Sequence, residues 1–397
     1  MQIGVPAETD PGETRVALVP PVAAELIEEG FDVCVLSGAG EPSDWSDEAY
    51  RDAGCTVLDD REAVFEGADI ITRVNGLGAT ENDDIDRYRE GQTVIGLLGP
   101  YDLDGELETL ADRGTTAFAL ELMPRISRAQ SMDALSSMSS IGGYKSTIVA
   151  AERLPKMFPL QMTAAGTVQP AEVFVIGAGV AGLQAIATAE RLGASVRAYD
   201  IRLEVREEVQ SLGADFVELD LETEGSGDEE GYAREMDEEF YRQQRKELTR
   251  VVGESDVVIT TAAIPGKPAP ELVTEEMVDG MDPGSVIVDL SAATGGNCEL
   301  TVPDETIEHG GVEIYGPTNL PATVAHHASQ LYSNNVRNFI QNMFEDDDRT
   351  LDTDDEIVDS TMLTHDGGVR WVHPADRDAD DDETDADTAE PEAETDD

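Results

Sequence analysis

One short stretch of a strongly acidic chain gathers side chains that can orient a polar ligand. The stretch is PRISRAQSMDALSS, residues 124–137, with two guanidinium groups, an amide, hydroxyls and one carboxylate. The whole chain has 85 acidic and only 26 basic side chains, so a cluster of cations is unusual in it. These groups can hydrogen-bond a bound amide or hydroxyl. From the residue types alone, two structural explanations stay open: Arg125 and Asp133 form a surface ion pair, and Ser136 caps a helix.

A glycine-rich motif near the middle of the chain indicates dinucleotide binding. Gly177, Gly179 and Gly182 form G-x-G-x-x-G directly after the strand-like EVFVI and open the helix-like GLQAIATAERLG. A second strand-like run ends at Asp200, about 20 residues further on, as the motif requires. Backbone N–H groups and the helix dipole would bind the pyrophosphate. The Asp200 carboxylate would accept from a ribose 2′-OH and repel a 2′-phosphate, so the motif favours NAD(H), although Arg202 keeps NADP(H) open.

The elements that must position these residues follow a repeated β-α-β pattern. Apolar strand-like runs such as QIGVPAE, DVCVLSGAG and ADIITRVN alternate with amphipathic helical segments, and the pattern restarts at EVFVIGAG. Such alternation predicts parallel sheets with helices on both faces. The predicted fold class is therefore α/β, with two doubly wound Rossmann-like domains.

Two long helices are expected to join these domains and to leave a cleft between them. The first runs from about Ala134 to Arg153, and the second lies in ATVAHHASQLYSNNVRNFIQNMF. The predicted division assigns residues 1–136 plus 330–374 to the first domain and 137–329 to the NAD(H)-binding domain. Residues 375–397 form a predicted disordered acidic tail.

The formal net charge of −59 restricts both the partners and the setting of the chain. It excludes nucleic acid and anionic lipid as electrostatically attracted partners. At molar salt the Debye length falls to about 3 Å, which would screen the self-repulsion, so the composition indicates a cytoplasmic protein of a salt-accumulating halophile. Three cysteines without metal-type spacing predict buried free thiols and no metal site. The uncharged run 173–189 is short and broken by glycines, so no direct membrane insertion is expected.

Several motifs together resemble a known family. They are ETRVALVP, PRISRAQSMDALSS, VIGAGVAGLQAIATAERLGASVRAYDIR, EGYAREMDEEF, TTAAIPGKPAP and GGNCEL. They are similar to the NAD(H)-binding domain I of proton-translocating nicotinamide nucleotide transhydrogenases, over nearly the whole chain up to about Pro374. Alanine dehydrogenases share the two-lobed fold.

The resemblance implies a set of site residues. On the 124–137 loop it implies that Arg125, Ile126, Ser127, Arg128 and Gln130 contact the nicotinamide end of the cofactor, with Asp133 and Ser136 completing the polar cradle. Arg125, Gln130, Asp133 and Ser136 are the predicted catalytic residues. The further cofactor contacts that it implies are Gly177, Gly179, Val180, Ala181 and Gly182 at the pyrophosphate, Asp200, Ile201 and Arg202 at the adenosine ribose, Gly231 and Tyr232 on a mobile loop, Gln244 behind them, and Ala263, where the family usually has Leu.

The chemistry separates a transhydrogenase from an amino-acid dehydrogenase. Oxidising an amino acid requires positioned acid–base groups, which alanine dehydrogenases supply as Lys, His and Asp. Aligned by motif, the Lys position falls at Asn75, the His position falls in VIGLLGPYD, which has no His, and the Asp position falls at Ala293. Arg15 is shared with alanine dehydrogenases, where it binds a substrate carboxylate, and here a structural role is at least as well favoured. Hydride transfer between two nicotinamides needs apposition and excluded water instead.

The sequence therefore predicts the NAD(H)-binding catalytic subunit of a split, Re/Si-specific, proton-translocating transhydrogenase. NADP(H) would bind a separate beta subunit, and a membrane subunit would carry the proton channel. A homodimer is expected from the resemblance, attached through its partners to the inner face of the cell membrane. Two alternatives stay open: an alanine-type amino-acid dehydrogenase and a non-catalytic NAD(H)-binding module.

Overall fold

A computed structural model describes residues 1–76, 84–103, 105–219, 238–344 and 350–374 of the chain. The predicted acidic tail, residues 375–397, lies outside these ranges. The strands are β1 Gln2–Val5, β2 Asp32–Leu36, β3 Thr56–Leu58, β4 Ile70–Asn75, β5 Thr93–Leu97, β6 Thr116–Ala119, β7 Gln161–Thr163, β8 Gly166–Val168, β9 Glu172–Ile176, β10 Ser195–Tyr199, β11 Asp215–Phe216, β12 Val257–Thr260, β13 Val286–Asp289, β14 Thr306–His309, β15 Val312–Tyr315, β16 Met362–His365 and β17 Gly368–Val369. The helices are α1 Pro20–Glu28, α2 Asp47–Asp52, α3 Arg61–Gly67, α4 Glu106–Asp112, α5 Ala134–Arg153, α6 Val180–Leu192, α7 Arg206–Ser211, α8 Glu238–Gly253, α9 Glu275–Asp279, α10 Ala325–Met343 and α11 Glu356–Thr361.

The first sheet has the strand order β17-β16-β6-β5-β4-β1-β2-β3. Strands β1 to β6 pair in parallel, and β16 and β17 extend the edge antiparallel. The order reverses between β1 and β4, which opens a crevice at the carboxyl ends of these two strands. Buried Ile and Val side chains of the strands, such as Ile3, Val33 and Ile70, form its core with α1 and α10.

The second sheet repeats this arrangement with the order β11-β10-β9-β12-β13-β15-β14. All its neighbours pair in parallel except β14, which is antiparallel to β15. The order reverses between β9 and β12, and this gives a second crevice at their carboxyl ends. The predicted α/β fold with two doubly wound sheets is confirmed.

The long helices α5 and α10 pack against each other between the sheets. Helix α10 is fixed to the first domain through its buried face, where the Tyr332 hydroxyl donates to the Arg73 carbonyl at 2.6 Å and Ser329 Oγ accepts from the Val16 N–H at 3.0 Å. Helix α5 packs closely on α6 of the second sheet. The two helices thus connect the crevices of both sheets.

Some features lie beyond what the β-α-β pattern predicts. Strands β7 and β8 form an antiparallel hairpin that projects Met162, 75% exposed, and Val168, 43% exposed. The β-α-β pattern predicts only parallel strands, so it does not predict the antiparallel edge strands β16 and β17. The three cysteines are buried and unpaired. Among the described residues, no helix combines the length and the apolar character that a membrane span requires.

Candidate functional site

The 124–137 loop leaves β6 of the first sheet and leads into α5. Residues Ser127–Met132 form a short 3-10 turn, and α5 then begins at Ala134. The carboxylate of Asp133 caps α5: Oδ1 accepts from the Ser136 backbone N–H at 2.7 Å and Oδ2 accepts from the Ser136 hydroxyl at 2.5 Å. Asp133, and not Ser136, is therefore the N-cap residue. The cap fixes both side chains relative to the loop.

A cavity of about 230 Å³ lies over this cap. Its lining residues are Pro124, Arg125, Ile126, Gln130, Asp133 and Ser136. The structure thus brings together the predicted catalytic residues Arg125, Gln130, Asp133 and Ser136. Guanidinium, amide, carboxylate and hydroxyl groups face one space, which suits a ligand that has both donors and acceptors, such as a carboxamide.

Two predicted contacts on the same loop do not line this cavity. Arg128 turns towards the end of α10, where its Nη1 donates to Asn342 Oδ1 at 3.0 Å and its Nη2 pairs with Asp355 Oδ2 at 2.7 Å. Ser127 is exposed at the start of the 3-10 turn. Their assignment to the cofactor stays a prediction.

The glycine-rich turn follows β9 at the second crevice. A Cβ at Gly182 would lie 1.9 Å from the Gly177 carbonyl oxygen, and Gly177 has φ +96°, so neither position accepts a side chain without strain. A Cβ at Gly179, in contrast, would meet nothing within 4 Å. The turn is therefore tight on its protein side and open on its outer side. This shape, at the start of a helix of thirteen residues, fits a pyrophosphate.

Asp200 directly follows β10 beside this turn and is almost fully buried. Its carboxylate accepts from the Ala178 N–H at 2.7 Å and from the backbone N–H, Nε and Nη2 of Arg202 at 2.8, 2.9 and 2.9 Å. A carboxylate offers about four lone-pair sites, and these donors use them. A ribose hydroxyl could bind Asp200 only if the Arg202 guanidinium gave up one of its bonds. Ile201 lies between them and is 9% exposed.

Helix α5 sets the separation between the cavity and the glycine-rich turn. Asp133 caps its first turn, and Gly143 lies ten residues further on, about 15 Å along a helix. There α5 approaches the start of α6 so closely that a Cβ at Gly143 would lie 2.0 Å from the Ala181 carbonyl oxygen. Val180, the first residue of α6, is 37% exposed beside it. Gly143 has no role in the sequence prediction, since only the packing of two helices reveals it.

Two further predicted contacts, Ala263 and Gln244, lie around the second crevice. Ala263 is exposed on the loop after β12, and the Gln244 side chain is buried, with Nε2 donating to the Tyr199 hydroxyl at 2.8 Å. Burial raises the pKa of the Tyr199 hydroxyl to about 12, so it stays protonated at neutral pH. Gly231 and Tyr232 lie outside the described residues.

A larger cavity, about 480 Å³, lies at the first crevice. Its lining residues are Asp10, Pro11, Arg15, Asn75, Met138, Thr318, Asn319 and Pro321. The Arg15 guanidinium is buried and pairs with Glu13 through Nε at 2.8 Å and Nη2 at 2.6 Å. Asn75 donates to the Asp10 carboxylate at 3.1 Å. We call this space the Arg15 cavity.

The Arg15 cavity is thus lined by a neutralised cation and a further acidic group. The carboxylates of Glu13 and Asp10 outnumber the guanidinium of Arg15, so the local charge disfavours an anionic ligand. No group of three or more His, Cys, Asp or Glu side chains in the described ranges is arranged to hold a metal ion.

Comparison with known proteins identifies the evolutionary group of this chain. The family model described as alanine dehydrogenase/PNT, N-terminal domain, matches residues 4–142, and that of the C-terminal domain matches residues 146–372. The first part of NAD(P) transhydrogenase subunit alpha of Rhodospirillum rubrum is 45% identical over 94% of this chain and 98% of its own length. An alanine dehydrogenase of Mycolicibacterium smegmatis is 28% identical over 92% of this chain and 94% of its own length.

The solved structures give the same order of similarity. The transhydrogenase of Sinorhizobium meliloti superimposes with a TM-score of 0.83 at 43% identity, over 93% of this chain and all of that one. An L-alanine dehydrogenase superimposes with a TM-score of 0.78 at 26% identity, over 96% and 99% of the two chains. The chain therefore belongs to the alanine dehydrogenase/PNT family of NAD(H)-binding dehydrogenases, and within it the NAD(P) transhydrogenase alpha subunits are its homologues.

Proposed function

We propose that the chain is the NAD(H)-binding catalytic subunit of a split, Re/Si-specific, proton-translocating transhydrogenase. In the proposed reaction NADH and NADP⁺ exchange a hydride to give NAD⁺ and NADPH, coupled to proton movement through partner subunits. NAD(H), when bound, supplies or accepts that hydride at its nicotinamide ring. The observation that carries the proposal is the 230 Å³ cavity, because it gathers Arg125, Gln130, Asp133 and Ser136.

These residues have the properties needed to hold a nicotinamide without proton chemistry. The Asp133 carboxylate is held by the backbone and hydroxyl of Ser136, so its direction is fixed. Gln130 and Arg125 add an amide and a guanidinium to the lining of the same cavity. A ring held on several sides in one orientation is what hydride transfer at close approach requires. The proposed reaction moves a C4 hydrogen and asks none of these groups to act as an acid or a base.

The Arg15 cavity supports this reaction over an alanine-type amino-acid dehydrogenase. Arg15 is already paired with Glu13, and Asp10 adds a second carboxylate to the wall. A substrate carboxylate would have to share the Arg15 guanidinium with the buried carboxylate of Glu13 and approach Asp10 against like charge. Asn75 cannot transfer a proton to a substrate in the way that a lysine can.

The proposed partners follow from the homology. We propose that a beta subunit binds NADP(H) and that a membrane subunit carries the proton channel, since the Rhodospirillum rubrum relative is named as one part of a divided alpha subunit. The chain would then lie in the cytoplasm at the inner face of the membrane. A homodimer remains part of the proposal, and the exposed apolar residues Met162 and Val168 of the β7–β8 hairpin offer surface for it.

Two further aspects of the proposal concern the setting and the domain division. The net charge of −59 supports work at high salt, where counterions screen it. The proposed domains are residues 1–136 plus 330–374 and residues 137–329. Helix α5 crosses this boundary, so the 124–137 loop and the NAD(H)-binding sheet would move as one unit.

The test is hydride transfer in a complex reconstituted with a purified NADP(H)-binding partner in molar salt. Asn caps helices about as well as Asp, so Asp133→Asn should fold and retain NADH affinity within about threefold. Its lost charge should misplace the nicotinamide and slow hydride transfer by up to about 100-fold. Gln130→Ala should behave similarly, and the exposed Gln210→Ala on α7 is the matched control with wild-type turnover.

The alternatives predict other results. Alanine-dependent reduction of NAD⁺ by the purified chain would contradict the proposal in favour of the amino-acid dehydrogenase. A wild-type complex that binds NADH but transfers no hydride would favour a module that only binds NAD(H). Loss of turnover in Asp133→Asn or Gln130→Ala with retained NADH affinity would contradict that module, whereas wild-type turnover in both variants would contradict the roles proposed for these two residues.

A further inference from the structure

A buried asparagine outside the predicted site organises the loop that carries Ala263. This loop, residues 262–270, follows β12 at the second crevice. Asn297 is fully buried, and its Oδ1 accepts from the Ala262 N–H at 3.0 Å. Its Nδ2 donates to the Ala262 carbonyl at 2.8 Å and to the Pro270 carbonyl at 2.8 Å. One side chain therefore holds the loop at both of its ends.

We infer that Asn297 is a positioning residue for cofactor binding, acting through the 262–270 loop. The inference rests on the proposed function, because it assumes that Ala263 and the glycine-rich turn contact NAD(H). Asn297 is not among the residues that line the 230 Å³ cavity on the 124–137 loop. It fixes the position of Ala263 relative to the second crevice.

The chemistry of the loop requires an amide at this position. The side chain must accept one hydrogen bond and donate two, and a primary amide does this in one plane. Aspartate offers only acceptors when ionised, so it would place negative charge against two carbonyl oxygens. Alanine would remove the bonds to one N–H and two carbonyls, all of them partly buried.

The same hydrogen-bond network reaches the glycine-rich turn. Thr261, directly before Ala262, donates through its hydroxyl to the Gly177 carbonyl at 3.1 Å. A Cβ on Gly177 would lie 2.6 Å from that hydroxyl, so the two chain segments are in close contact. A shift of Ala262 would move Thr261 and with it the turn that is proposed to bind the pyrophosphate.

The network is anchored on its other side by a buried carboxylate. Asp289, at the end of β13, accepts from the Asn297 N–H at 2.7 Å and from the Thr260 hydroxyl at 2.8 Å. The Ser291 hydroxyl adds a second bond to the Ala262 carbonyl at 2.9 Å. A fully bonded buried network of this kind holds one geometry.

The outer portion of the loop meets the first domain. Gly266 has φ +68°, and a Cβ there would lie 2.6 Å from Cδ1 of Tyr101, which follows β5 of the first sheet. The loop therefore spans from the second crevice to the first sheet.

The test is the NADH dissociation constant of the full-length chain in molar salt, measured by fluorescence titration beside the thermal midpoint of unfolding. We expect Asn297→Ala to raise the dissociation constant about tenfold. Asn297→Asp should raise it at least as much at pH 8, because an ionised carboxylate cannot donate to the Ala262 and Pro270 carbonyls. The control is Ser255→Ala, which removes a buried bond to the Val251 carbonyl before β12, at the amino ends of the strands of the same sheet, and it should leave the affinity unchanged.

The outcomes separate this inference from the proposed function. A wild-type chain that binds no NADH would overturn both. If the wild type binds NADH and the folded Asn297→Ala variant binds it equally tightly, the inference is overturned and the proposed function stands. If Asn297→Ala does not fold, Ser291→Ala replaces it, since it removes only one bond to Ala262; we expect about a threefold loss, and an unchanged dissociation constant would overturn the inference.

Discussion

The two sheets of this protein have the same doubly wound topology, but different chemical groups line their crevices. At the first crevice, between β1 and β4, the buried Glu8 carboxylate accepts from the Val74 N–H at 2.7 Å and lies 3.9 Å from the Arg73 guanidinium. At the second, between β9 and β12, the residues facing outwards are glycines and small side chains, with Gly179 open to a ligand. Charged side chains line the first crevice, whereas the glycine-rich turn exposes backbone at the second.

Topology supplies a crevice, and the residues around it decide what it can bind. Both switch points lie where an α/β sheet commonly binds a ligand. Among the described residues, only the second offers free backbone at a helix start, which a pyrophosphate needs. The first is lined by the carboxylates of Glu8 and Asp10 and by an Arg15 already paired with Glu13, so its described residues leave no comparable site for phosphate. The expected NAD(H) stoichiometry is therefore one per chain.

The largest effect on NADH affinity is expected from a substitution that adds a Cβ atom in the second crevice. Gly182→Ala places that atom 1.9 Å from the Gly177 carbonyl oxygen, so the turn must shift and the dissociation constant for NADH should rise by about 100-fold. The matched variant in the first sheet is Gly4→Ala, whose Cβ would lie 2.8 Å from the Ala68 Cβ. It should lower the thermal midpoint and leave the NADH affinity within about threefold. Equal losses of affinity in both variants would contradict the contrast between the crevices.

The next effect concerns the charges in the first crevice. Burial raises the pKa of Glu8 from 4.5 to about 7, although Arg73 opposes the shift. The folded state therefore holds this proton more tightly than the unfolded state, and the stability that it gives is present below about pH 4.5 and lost as pH rises through 7. The loss is on the order of 3 kcal/mol. Glu8→Gln should thus gain stability relative to wild type between pH 4.5 and 8, measured by urea unfolding in molar salt.

Glu13 is the control of opposite sign. Burial raises its pKa, but hydrogen bonds and the charge of Arg15 outweigh burial, so the net pKa lies below 4.5. Its contribution is present above pH 4.5 and lost as pH falls, so Glu13→Gln should lose stability at pH 7 and little at low pH. Neither variant should alter NADH affinity by more than about twofold, because the second crevice contains neither group. A pH dependence of the same sign in both variants would contradict the assignment of these shifts.

The sequence was sufficient for the regions of the fold that depend on local pattern. The alternation of apolar and helical segments predicts both parallel sheets, and G-x-G-x-x-G followed by Asp200 predicts the second crevice, because each signal lies within one β-α-β unit. The antiparallel β16 could not be predicted, since its pairing with β6 joins segments far apart in the chain. The hairpin β7–β8 is exposed on both strands, so it has no alternating pattern to reveal it.

Within the site, short-range relations were predictable and long-range ones were not. Arg125, Gln130, Asp133 and Ser136 lie on one loop and line one cavity, as that proximity suggests. The motif GGNC contains Asn297, but its bonds to Ala262 and Pro270 depend on how two loops meet at the end of the sheet. A sequence does not specify which loop a buried amide will reach.

The smallest expected effect is a difference in NADH affinity between substitutions of the two arginines on the 124–137 loop. Arg125 lines the cavity, whereas Arg128, half exposed, pairs with Asp355 and Asn342 at the other side of the loop. Arg125→Ala should raise the NADH dissociation constant about tenfold, since it removes a charged donor from the cavity. Arg128→Ala should change it less than about twofold and cost about 0–1 kcal/mol of stability, as for an exposed ion pair. Molar salt screens such a pair, so even this cost should fall towards zero as salt rises. An NADH affinity that drops equally in both variants would mean that Arg128 leaves Asp355 when the cofactor binds.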